Sequence, residues 1–394
     1  MENFTQYTPT EVIFGKGTEQ ETGHEVKKWQ GHRVLIVYGG GSAKKSGLLD
    51  RIEQSLKEAG LAYEFFGGAK PNPTYRHAVL GVEAAAAMSA DFILAVGGGS
   101  TIDTAKAIAH GAANPQVSLE DIWMKKVPLT ASLPLGCVLT IPAAGSEMSD
   151  SAVLTFEERQ MKCGINTPFN RCKFAIMNPQ LVYTLPPKQL ACGITDIMMH
   201  TMERYFIPGI CCDFTDEIAE GLLRTMVKHG RIVMDKIDTY DSMAEVMWCG
   251  SISHNNLTEC GRGKDFSVHK LGHALSAVFD VPHGASLAAV WGSWASYLYQ
   301  ENPQVTSRFA KYAEKVWGCD RSDDLTCARE GIEKTVDFFH TIGMPVNLKE
   351  LEVLEDEKTL ELLADKATMG DTVKLSRIRP LGKVQVKEIF QLAR

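Results

Sequence analysis

Four residues spread over fewer than ninety positions have the types expected of one divalent-metal site. Asp196 and His200 lie four apart in DIMMHTMERY, which we predict to be helical, so that both side chains project from one face. His269 and His283 follow in the segments HKLGH and VPHG. Three imidazoles and one carboxylate suit Fe(II) or Zn(II) better than Mg(II) or Ca(II), which prefer oxygen ligands. The pattern therefore predicts an iron or zinc centre.

A second histidine pair repeats the four-residue spacing of the first. It is formed by His269 and His273, and we expect Pro282 and Gly284 to break the helix around His283. A lone histidine is more often a hydrogen-bonded core residue than a ligand, and that alternative applies to each of these positions. Two equally spaced pairs among only 11 histidines favour a site.

The composition is that of a soluble globular protein with two domains. Its 394 residues exceed one ordinary core, and 44% are hydrophobic and 23% charged. The net charge of -7 argues against a nucleic-acid surface, and no segment has the apolar length of a membrane helix. The polar start MENFTQYTP lacks a signal pattern, and the 10 scattered cysteines fit free thiols. We expect a cytoplasmic protein without nucleic-acid or membrane partners.

The first half of the chain alternates predicted strands with predicted helices. The strands are HRVLIVYGGG, AYEFFGG, DFILAVGGG and GCVLTIP, and the helices include GLLDRIEQSLKEAG and TIDTAKAIAHGAA. Such alternation predicts a parallel sheet covered by helices on both faces. Pro186 and Pro187 interrupt it, and helical periodicity prevails beyond them. We predict an α/β domain over residues 1–185 and an all-helical domain over residues 186–394.

A glycine-rich turn follows the strand DFILAVGGG. The strand ends in Gly97, Gly98 and Gly99, and we expect a helix to begin at Ser100, with Ser100 as N-cap and Asp103 completing a capping box. Glycines let a phosphate approach the backbone, and the helix N-terminus favours the anion. The run does not match G-x-G-x-x-G, and a simple strand–helix connection is the alternative. Its place at the carboxyl end of a parallel strand favours a dinucleotide pyrophosphate.

An earlier turn, which follows the strand ending at Tyr38, bears on the choice of nucleotide. NAD-selective sites usually place a carboxylate on the ribose 2′-hydroxyl. No acid occurs here before Asp50, whereas Ser42, Lys44 and Lys45 offer space and positive charge for a 2′-phosphate. The turn predicts NADP(H) as the cofactor, and a solvent-facing loop is the alternative.

Several segments together resemble the iron-containing (group III) alcohol dehydrogenase family, and within it the NADPH-dependent butanol dehydrogenase-like branch. They are VYGGGS, PNPT, AVGGGSTIDTAKAIA, TIPAAGSEMSDSAV, GITDIMMHTMERY and HKLGHALSAVFDVPHGASLA, in order from about residue 9 to the C-terminal RIRPLGK. The resemblance implies a Rossmann-like parallel-sheet dinucleotide-binding domain and a C-terminal helical domain, with the active site in the cleft between them. It also implies a homodimer.

The resemblance assigns roles to individual residues. It implies the metal ligands Asp196, His200, His269 and His283, and it places His273 near the active site, where it is not usually a ligand. From the chemistry of alcohol oxidation, His273 is our catalytic candidate, as the residue that relays the proton to solvent. The implied cofactor contacts are Gly39, Gly40 and Ser42 at the 2′-phosphate end, Gly98, Gly99, Ser100 and Asp103 at the pyrophosphate, and also Asn72, Thr140, Ser149, Lys162 and Leu181.

Three further positions carry open expectations. Ala144 stands where the family has threonine, so that one cofactor hydrogen bond is expected to be missing. Glu147 and Glu203 match family acids, and salt bridging or helix capping explains them as readily as catalysis. We expect the substrate pocket to use side chains near Phe266, Trp291 and Trp294.

The leading hypothesis is a metal-dependent oxidoreductase that transfers hydride between NADP(H) and a short-chain primary alcohol or aldehyde. A divalent ion would lower the pKa of the alcohol, and the nicotinamide would carry the hydride. The donor set accepts both metals, so Fe2+ follows from the resemblance and Zn2+ is the alternative. A metallohydrolase, a metal- and NAD-using cyclase and a non-enzymatic nucleotide-binding sensor are the competing functions.

Overall fold

The protein divides into two compact units in a computed structural model that describes residues 1–159 and 161–394. Tyr7–Leu185 form an α/β unit, and Pro186–Arg394 form a helical unit together with Met1–Gln6. The sequence therefore misassigned the first six residues, which we had expected in the α/β domain.

The N-terminal arm Met1–Gln6 belongs to the helical unit because its contacts lie there. The backbone N–H of Glu2 donates to the carbonyl of Gly261 at 2.7 Å, and its carboxylate pairs with Arg377 at 2.7 Å. These long-range contacts leave no periodic pattern in the sequence, so pattern analysis could not detect them.

A six-stranded parallel sheet forms the centre of the α/β unit. The strands of the unit are β1 (Glu11–Phe14), β2 (Arg33–Tyr38), β3 (Ala62–Phe66), β4 (Phe92–Gly97), β5 (Leu135–Leu139), β6 (Ser151–Phe156), β7 (Met161–Asn166) and β8 (Phe174–Met177). The sheet order is β1-β8-β5-β4-β2-β3, and every neighbouring pair is parallel. The central strand β4 is buried along its whole length, as expected for a strand covered on both faces. The predicted parallel sheet is confirmed.

Helices cover this sheet as the strand–helix alternation predicted. They are α1 (Thr22–Lys28), α2 (Ser42–Lys45), α3 (Leu48–Glu58), α4 (Tyr75–Ala87), α5 (Gly99–Ala113) and α6 (Leu119–Trp123). Amphipathic α3 buries Leu49, Ile52 and Leu56 against the sheet residues Val34 and Ile36. Burial of each such side chain contributes roughly 1.5–3 kcal/mol, which fixes the helix against the strands.

An antiparallel hairpin was missed by the sequence analysis. Strands β6 and β7 pair with each other outside the main sheet, from Ser151 opposite Asn166 to Phe156 opposite Met161. Every second residue of β6 is buried, and the last of these, Phe156, stacks on Tyr75 of α4 with ring centroids 5.0 Å apart. The hairpin thereby anchors the loop that precedes it to the helices of this unit.

The second unit is helical throughout, as the periodicity beyond the two prolines predicted. Its helices are α7 (Pro187–Tyr205), α8 (Asp213–Asp235), α9 (Tyr240–Ser253), α10 (Ser267–Phe279), α11 (His283–Leu298), α12 (Pro303–Trp317), α13 (Asp324–Thr341), α14 (Glu357–Ala367) and α15 (Lys383–Leu392). Helix α7 starts with a proline at its first position, where the missing N–H costs no helical hydrogen bond. Almost all of its last four turns are buried, which makes it the central helix of the unit.

Aromatic side chains fill the core of the helical unit. The ring of Phe206 stacks on Phe309 with centroids 4.2 Å apart, and Trp291 and Trp294 pack around this pair. Both tryptophans are completely buried. The two tryptophan side chains themselves belong to the aromatic core, and the expectation of a substrate pocket formed by side chains near them stays a prediction.

No helix within the described residues 1–159 and 161–394 combines the length and hydropathy that a membrane crossing requires.

Candidate metal centre and cofactor-binding turns

Three helices of the helical unit bring the predicted metal ligands together. Asp196 and His200 lie one turn apart on α7, His269 lies in the first turn of α10, and His283 is the first residue of α11. The side chains of Asp196, His200 and His269 are buried, whereas His283 keeps 25% of its side chain exposed. Each ligand position is thus fixed by helix packing, and only one faces partly outward.

The turn between α10 and α11 places His283. Helix α10 ends at Phe279, Asp280 adopts the left-handed conformation with φ 52°, and Pro282 caps α11. Gly284 does not break the helix as expected but lies inside the first turn of α11. A Cβ atom there would come within 2.2 Å of the carbonyl oxygen of Cys192 on α7. Glycine is required because α7 and α11 touch at this point.

The ligand atoms converge on a common point. The carboxylate Oδ1 of Asp196 lies 3.5 Å from Nε2 of His200, 3.6 Å from Nε2 of His269 and 3.7 Å from Nε2 of His283. These distances are too long for hydrogen bonds. They match the separation of about 3.4 Å expected between ligands that share a tetrahedral ion at about 2.1 Å. The residues present therefore fit a divalent transition metal.

The protonation of two of these histidines differs because their surroundings differ. Burial and the neighbouring His254 and His269 hold the pKa of His200 well below its usual value. Burial alone would also lower the pKa of His269, but the carboxylates of Glu203 and Asp196 reverse this and raise it to about 9. The same two carboxylates that raise the pKa of His269 favour a positive charge at this ring, and a bound cation would take the place of that charge.

The predicted proton-relay residue lies beside the cluster and not within it. The imidazole ring of His273 stands 5.3 Å from that of His283 and 6.1 Å from that of His269, and it is half-exposed. It therefore has access to solvent while remaining close to the ligand set.

Two further aromatic rings, those of His254 and Phe266, pack against the ligand histidines. The sequence analysis did not identify His254, and it named Phe266 without predicting what it contacts. His254, at the end of α9, stacks on the ring of His200 with centroids 4.0 Å apart. Phe266 packs against His200 and His269 with centroid distances of 5.6 and 4.7 Å. Its φ of 62° places it in the left-handed region, where a large residue is strained. Neither contact has a sequence signal, because each arises where the chain leaves or enters a helix.

The glycine-rich turn after β4 differs from its predicted capping. Helix α5 begins at Gly99, its N-cap is Gly98, and the first turn has no side-chain cap. The predicted capping box of Ser100 and Asp103 is wrong, because Asp103 accepts hydrogen bonds from the Ser146 hydroxyl at 2.5 Å and from the backbone N–H of Val153 at 2.9 Å. The uncapped N–H groups of α5 stay available to an anion.

The turn after β2 lies open on the surface of the α/β unit. Gly39 is held by the N–H of Gly68, which donates to its carbonyl at 3.0 Å, while Gly40 and Gly41 are exposed. Ser42 opens the short helix α2 and is exposed, as are its two lysines. The turn therefore presents hydroxyl and ammonium groups without a carboxylate.

The remaining predicted cofactor residues occupy different environments. Asn72 and Lys162 meet, since the Lys162 ammonium donates to the Asn72 side-chain oxygen at 3.0 Å. Thr140 follows β5 and its N–H donates to the carbonyl of Gly97 at 3.1 Å. Ser149 is buried, and Leu181 packs against the hydrophobic core of the sheet.

A buried lysine that the sequence analysis missed supports the loop carrying Ser149. Lys106 on α5 is fully buried, and its ammonium donates to the carbonyls of Ser146 and Ser151, each at 2.7 Å. Its distance to Asp103 is 3.8 Å. A lysine in the otherwise small and apolar helix TIDTAKAIAHGAA was the available signal. These bonds tie the loop between β5 and β6 to the first turns of α5.

Two family models cover nearly all of the sequence. The model described as iron-containing alcohol dehydrogenase matches residues 9–179, and the one described as Fe-containing alcohol dehydrogenase family, C-terminal, matches residues 190–394. The chain belongs to the iron-containing alcohol dehydrogenase family. Iron, the metal in the family's description, agrees with the cluster of four ligand side chains in this structure.

Individual relatives of this alcohol dehydrogenase extend over the same length. The chain is 38% identical to the NADH-dependent butanol dehydrogenase A of Clostridium acetobutylicum, over 99% of each chain. It is 34% identical to an NADPH-dependent aldehyde reductase of Escherichia coli, over 89% of each. A crystal structure of the NADH-dependent butanol dehydrogenase A from Thermotoga maritima superposes with a TM-score of 0.95 at 34% identity, covering 100% of this chain and 99% of the other.

Family membership sets the class of reaction. The chain is a metal-dependent oxidoreductase of alcohols and aldehydes that uses a nicotinamide cofactor. The named relatives include both NADH-dependent and NADPH-dependent proteins. Coenzyme choice must therefore be argued from the residues of this chain.

Proposed function

We propose that this alcohol dehydrogenase uses iron and NADP(H) to interconvert short-chain primary alcohols and aldehydes. The observation that carries the proposal is the convergence of three imidazole nitrogens on one carboxylate oxygen, at 3.5–3.7 Å. Asp196, His200, His269 and His283 would hold the ion. When bound, a divalent ion supplies a Lewis acid that lowers the pKa of an alcohol and polarises an aldehyde carbonyl.

The protein's own residues supply the remaining functions. His273 is half-exposed beside the ligands, and it exchanges the hydroxyl proton with solvent. Phe266 covers the rings of His200 and His269 and keeps water from that side. Iron follows the family, and zinc is the alternative because the same donors bind both metals. A homodimer, as the resemblance implies, is part of the proposal.

The two glycine turns support the nucleotide assignment. The uncapped N-terminus of α5 suits a pyrophosphate, and it follows the carboxyl end of the central strand β4. At the turn after β2, Ser42 with Lys44 and Lys45 suits a 2′-phosphate, and no carboxylate stands there to bind a ribose hydroxyl. Ala144 lies near Gly99 and provides no hydroxyl to this region.

The proposal is tested by an activity assay on metal-analysed protein. We expect purified protein to contain iron or zinc and to oxidise NADPH when butanal is added, measured as the loss of NADPH absorbance. A chelator should abolish the reaction and added Fe2+ or Zn2+ should restore it. Protein that binds metal and nucleotide but shows no aldehyde-dependent oxidation would contradict the proposal.

The coenzyme preference is tested at Ser42. We expect Ser42→Asp to weaken the binding of NADPH by about tenfold or more and to affect the binding of NADH less. The reason is that a carboxylate repels a 2′-phosphate and can bind a 2′-hydroxyl. Ser46→Asp, at an exposed serine just beyond α2, is the matched control for added charge. An unchanged ratio of NADPH to NADH affinities in Ser42→Asp would remove the assignment to NADP(H).

A further inference from the structure

Two consecutive residues of α7 stand behind two different metal ligands. Glu203 and Arg204 are both fully buried, and they carry opposite charges. Glu203 contacts His269, and Arg204 contacts His200. The two histidines therefore have the same role in the proposed centre but opposite electrostatic surroundings.

Glu203 holds His269 at two points. One carboxylate oxygen accepts the backbone N–H of His269 at 3.1 Å, and the other contacts the ring atom Nδ1. A carboxylate can only accept here, so it keeps a proton on Nδ1 and leaves Nε2, the atom that faces Asp196, as the one that would bind the ion. This contact orients the ring and increases its basicity as a ligand.

Arg204 has the opposite relation to His200. Its Nη1 donates to the carbonyl of His200 at 2.6 Å and lies 3.3 Å from the ring atom Nδ1. When Nε2 of His200 binds a cation, Nδ1 carries a proton, and a guanidinium offers only further donors. The Nε of Arg204 donates to the Glu259 carboxylate at 2.9 Å, so the Glu259 carboxylate balances part of its positive charge, while Nη1 is the guanidinium atom that stands against the ring. A cation at Nε2 is therefore disfavoured from this side.

We propose that Glu203 and Arg204 are positioning residues that set metal affinity in opposite directions, Glu203 tightening the site through His269 and Arg204 loosening it through His200. This inference rests on the proposed metal site. The carboxylate behind His269 makes it the stronger ligand, and the guanidinium behind His200 makes it the weaker one. The ion would thus be retained while part of its positive charge stays uncompensated.

The test measures metal binding without any turnover. Metal-free protein is titrated with Zn2+ in competition with a chromophoric chelator. We expect Glu203→Gln to raise the Kd for zinc by about 10–100-fold, the usual effect of removing such a carboxylate. We expect the double variant Arg204→Met with Glu259→Gln to bind zinc several-fold more tightly than Glu259→Gln alone. The second change prevents the Glu259 carboxylate, which would lose its arginine partner, from supplying the effect.

A matched control separates positioning from general stability. Glu220 is another fully buried acid of the same unit, and it accepts a hydrogen bond from the Tyr205 hydroxyl at 2.7 Å. Glu220→Gln should lower the melting temperature without changing the Kd for zinc. If Glu203→Gln behaves like this control, or if removal of Arg204 weakens zinc binding, the inference is overturned. A wild-type protein that binds no zinc or iron would instead overturn the proposed function on which it rests.

Discussion

The two units build their candidate sites from different parts of the chain. In the helical unit the converging atoms lie on three helices, and three histidine nitrogens each stand 3.5–3.7 Å from one carboxylate oxygen of Asp196. In the α/β unit the turns after β2 and β4 present mainly glycine backbone, and the nearby side chain of Asp103 is already engaged by Ser146 and Val153. One site is made of side chains, and the other is made of backbone supported by side chains.

This contrast predicts how each site fails. A side-chain site loses function when donor atoms are removed, even if the fold persists. A backbone site tolerates removal of side chains that do not support it, but it is sensitive to added atoms and to a displaced loop. Substitutions that remove donor atoms should therefore cost metal binding, and substitutions that displace the glycine turns should cost nucleotide binding.

The largest expected effect is that of Asp196→Asn. The substitution removes the only anionic donor of the four while keeping its shape, so metal should be lost. We expect turnover to fall by a factor of about a thousand or more, which corresponds to the several kcal/mol that a metal ion contributes. Metal content is measured together with kcat, and the Kd for NADPH serves as the internal control because the predicted cofactor contacts lie in the α/β unit. Wild-type activity, or a higher Kd for NADPH, would contradict the contrast drawn between the two sites.

The next effect concerns the support of the backbone site. Lys106→Met should destabilise the α/β unit by about 3 kcal/mol, because it removes one partner of a buried, hydrogen-bonded charge and frees the carbonyls of Ser146 and Ser151. Denaturant unfolding measures the change, and zinc binding in the helical unit should be unaltered. Adding Asp103→Asn should recover part of the loss, since the unpaired carboxylate is then neutral. A loss below about 1 kcal/mol would mean that Lys106 does not hold this loop.

Local patterns predicted most of the fold because they reflect local rules. The β-branched runs gave the strands β2 to β5, and helical periodicity gave the second unit. The capping of α5 was mispredicted because both carboxylate oxygens of Asp103 accept tertiary hydrogen bonds, from Ser146 and Val153, and not from the start of the helix. The hairpin of β6 and β7 was missed because it pairs outside the sheet.

Only part of the candidate metal centre was predictable from local spacing. The types and spacing of Asp196 and His200 indicated one helix face, and the helix shows them there. Spacing alone does not distinguish His269 from His273. In the structure Nε2 of His269 lies 3.6 Å from Asp196, and His283 completes the set from the next helix. Such choices depend on how α10 and α11 pack, which no short-range pattern encodes.

The smallest expected effect separates stability from binding at a single glycine. Gly99 is the first residue of α5 and does not have a left-handed φ, and a Cβ there would lie 3.8 Å from Ser146 and 3.9 Å from Ala144, in ordinary contact. Gly99→Ala should therefore stabilise the cofactor-free protein by up to about 1 kcal/mol, because alanine loses less backbone entropy on folding. The same methyl group would occupy the space through which a phosphate approaches the helix N-terminus, so the Kd for NADPH should rise by about tenfold, or 1.4 kcal/mol.

The neighbouring Gly98 provides the control for the prediction that Gly99→Ala raises stability but weakens NADPH binding. A Cβ at Gly98 would lie only 2.9 Å from Cβ of Ile141, so Gly98→Ala should weaken both stability and binding through a displaced backbone. Melting temperature and NADPH affinity, measured on the same samples, distinguish the two variants. If Gly99→Ala were stabilised and still bound NADPH as tightly as the wild type, the pyrophosphate would not lie at this turn. The backbone site would then have to be sought elsewhere in the α/β unit, while the side-chain site in the helical unit would stand unchanged.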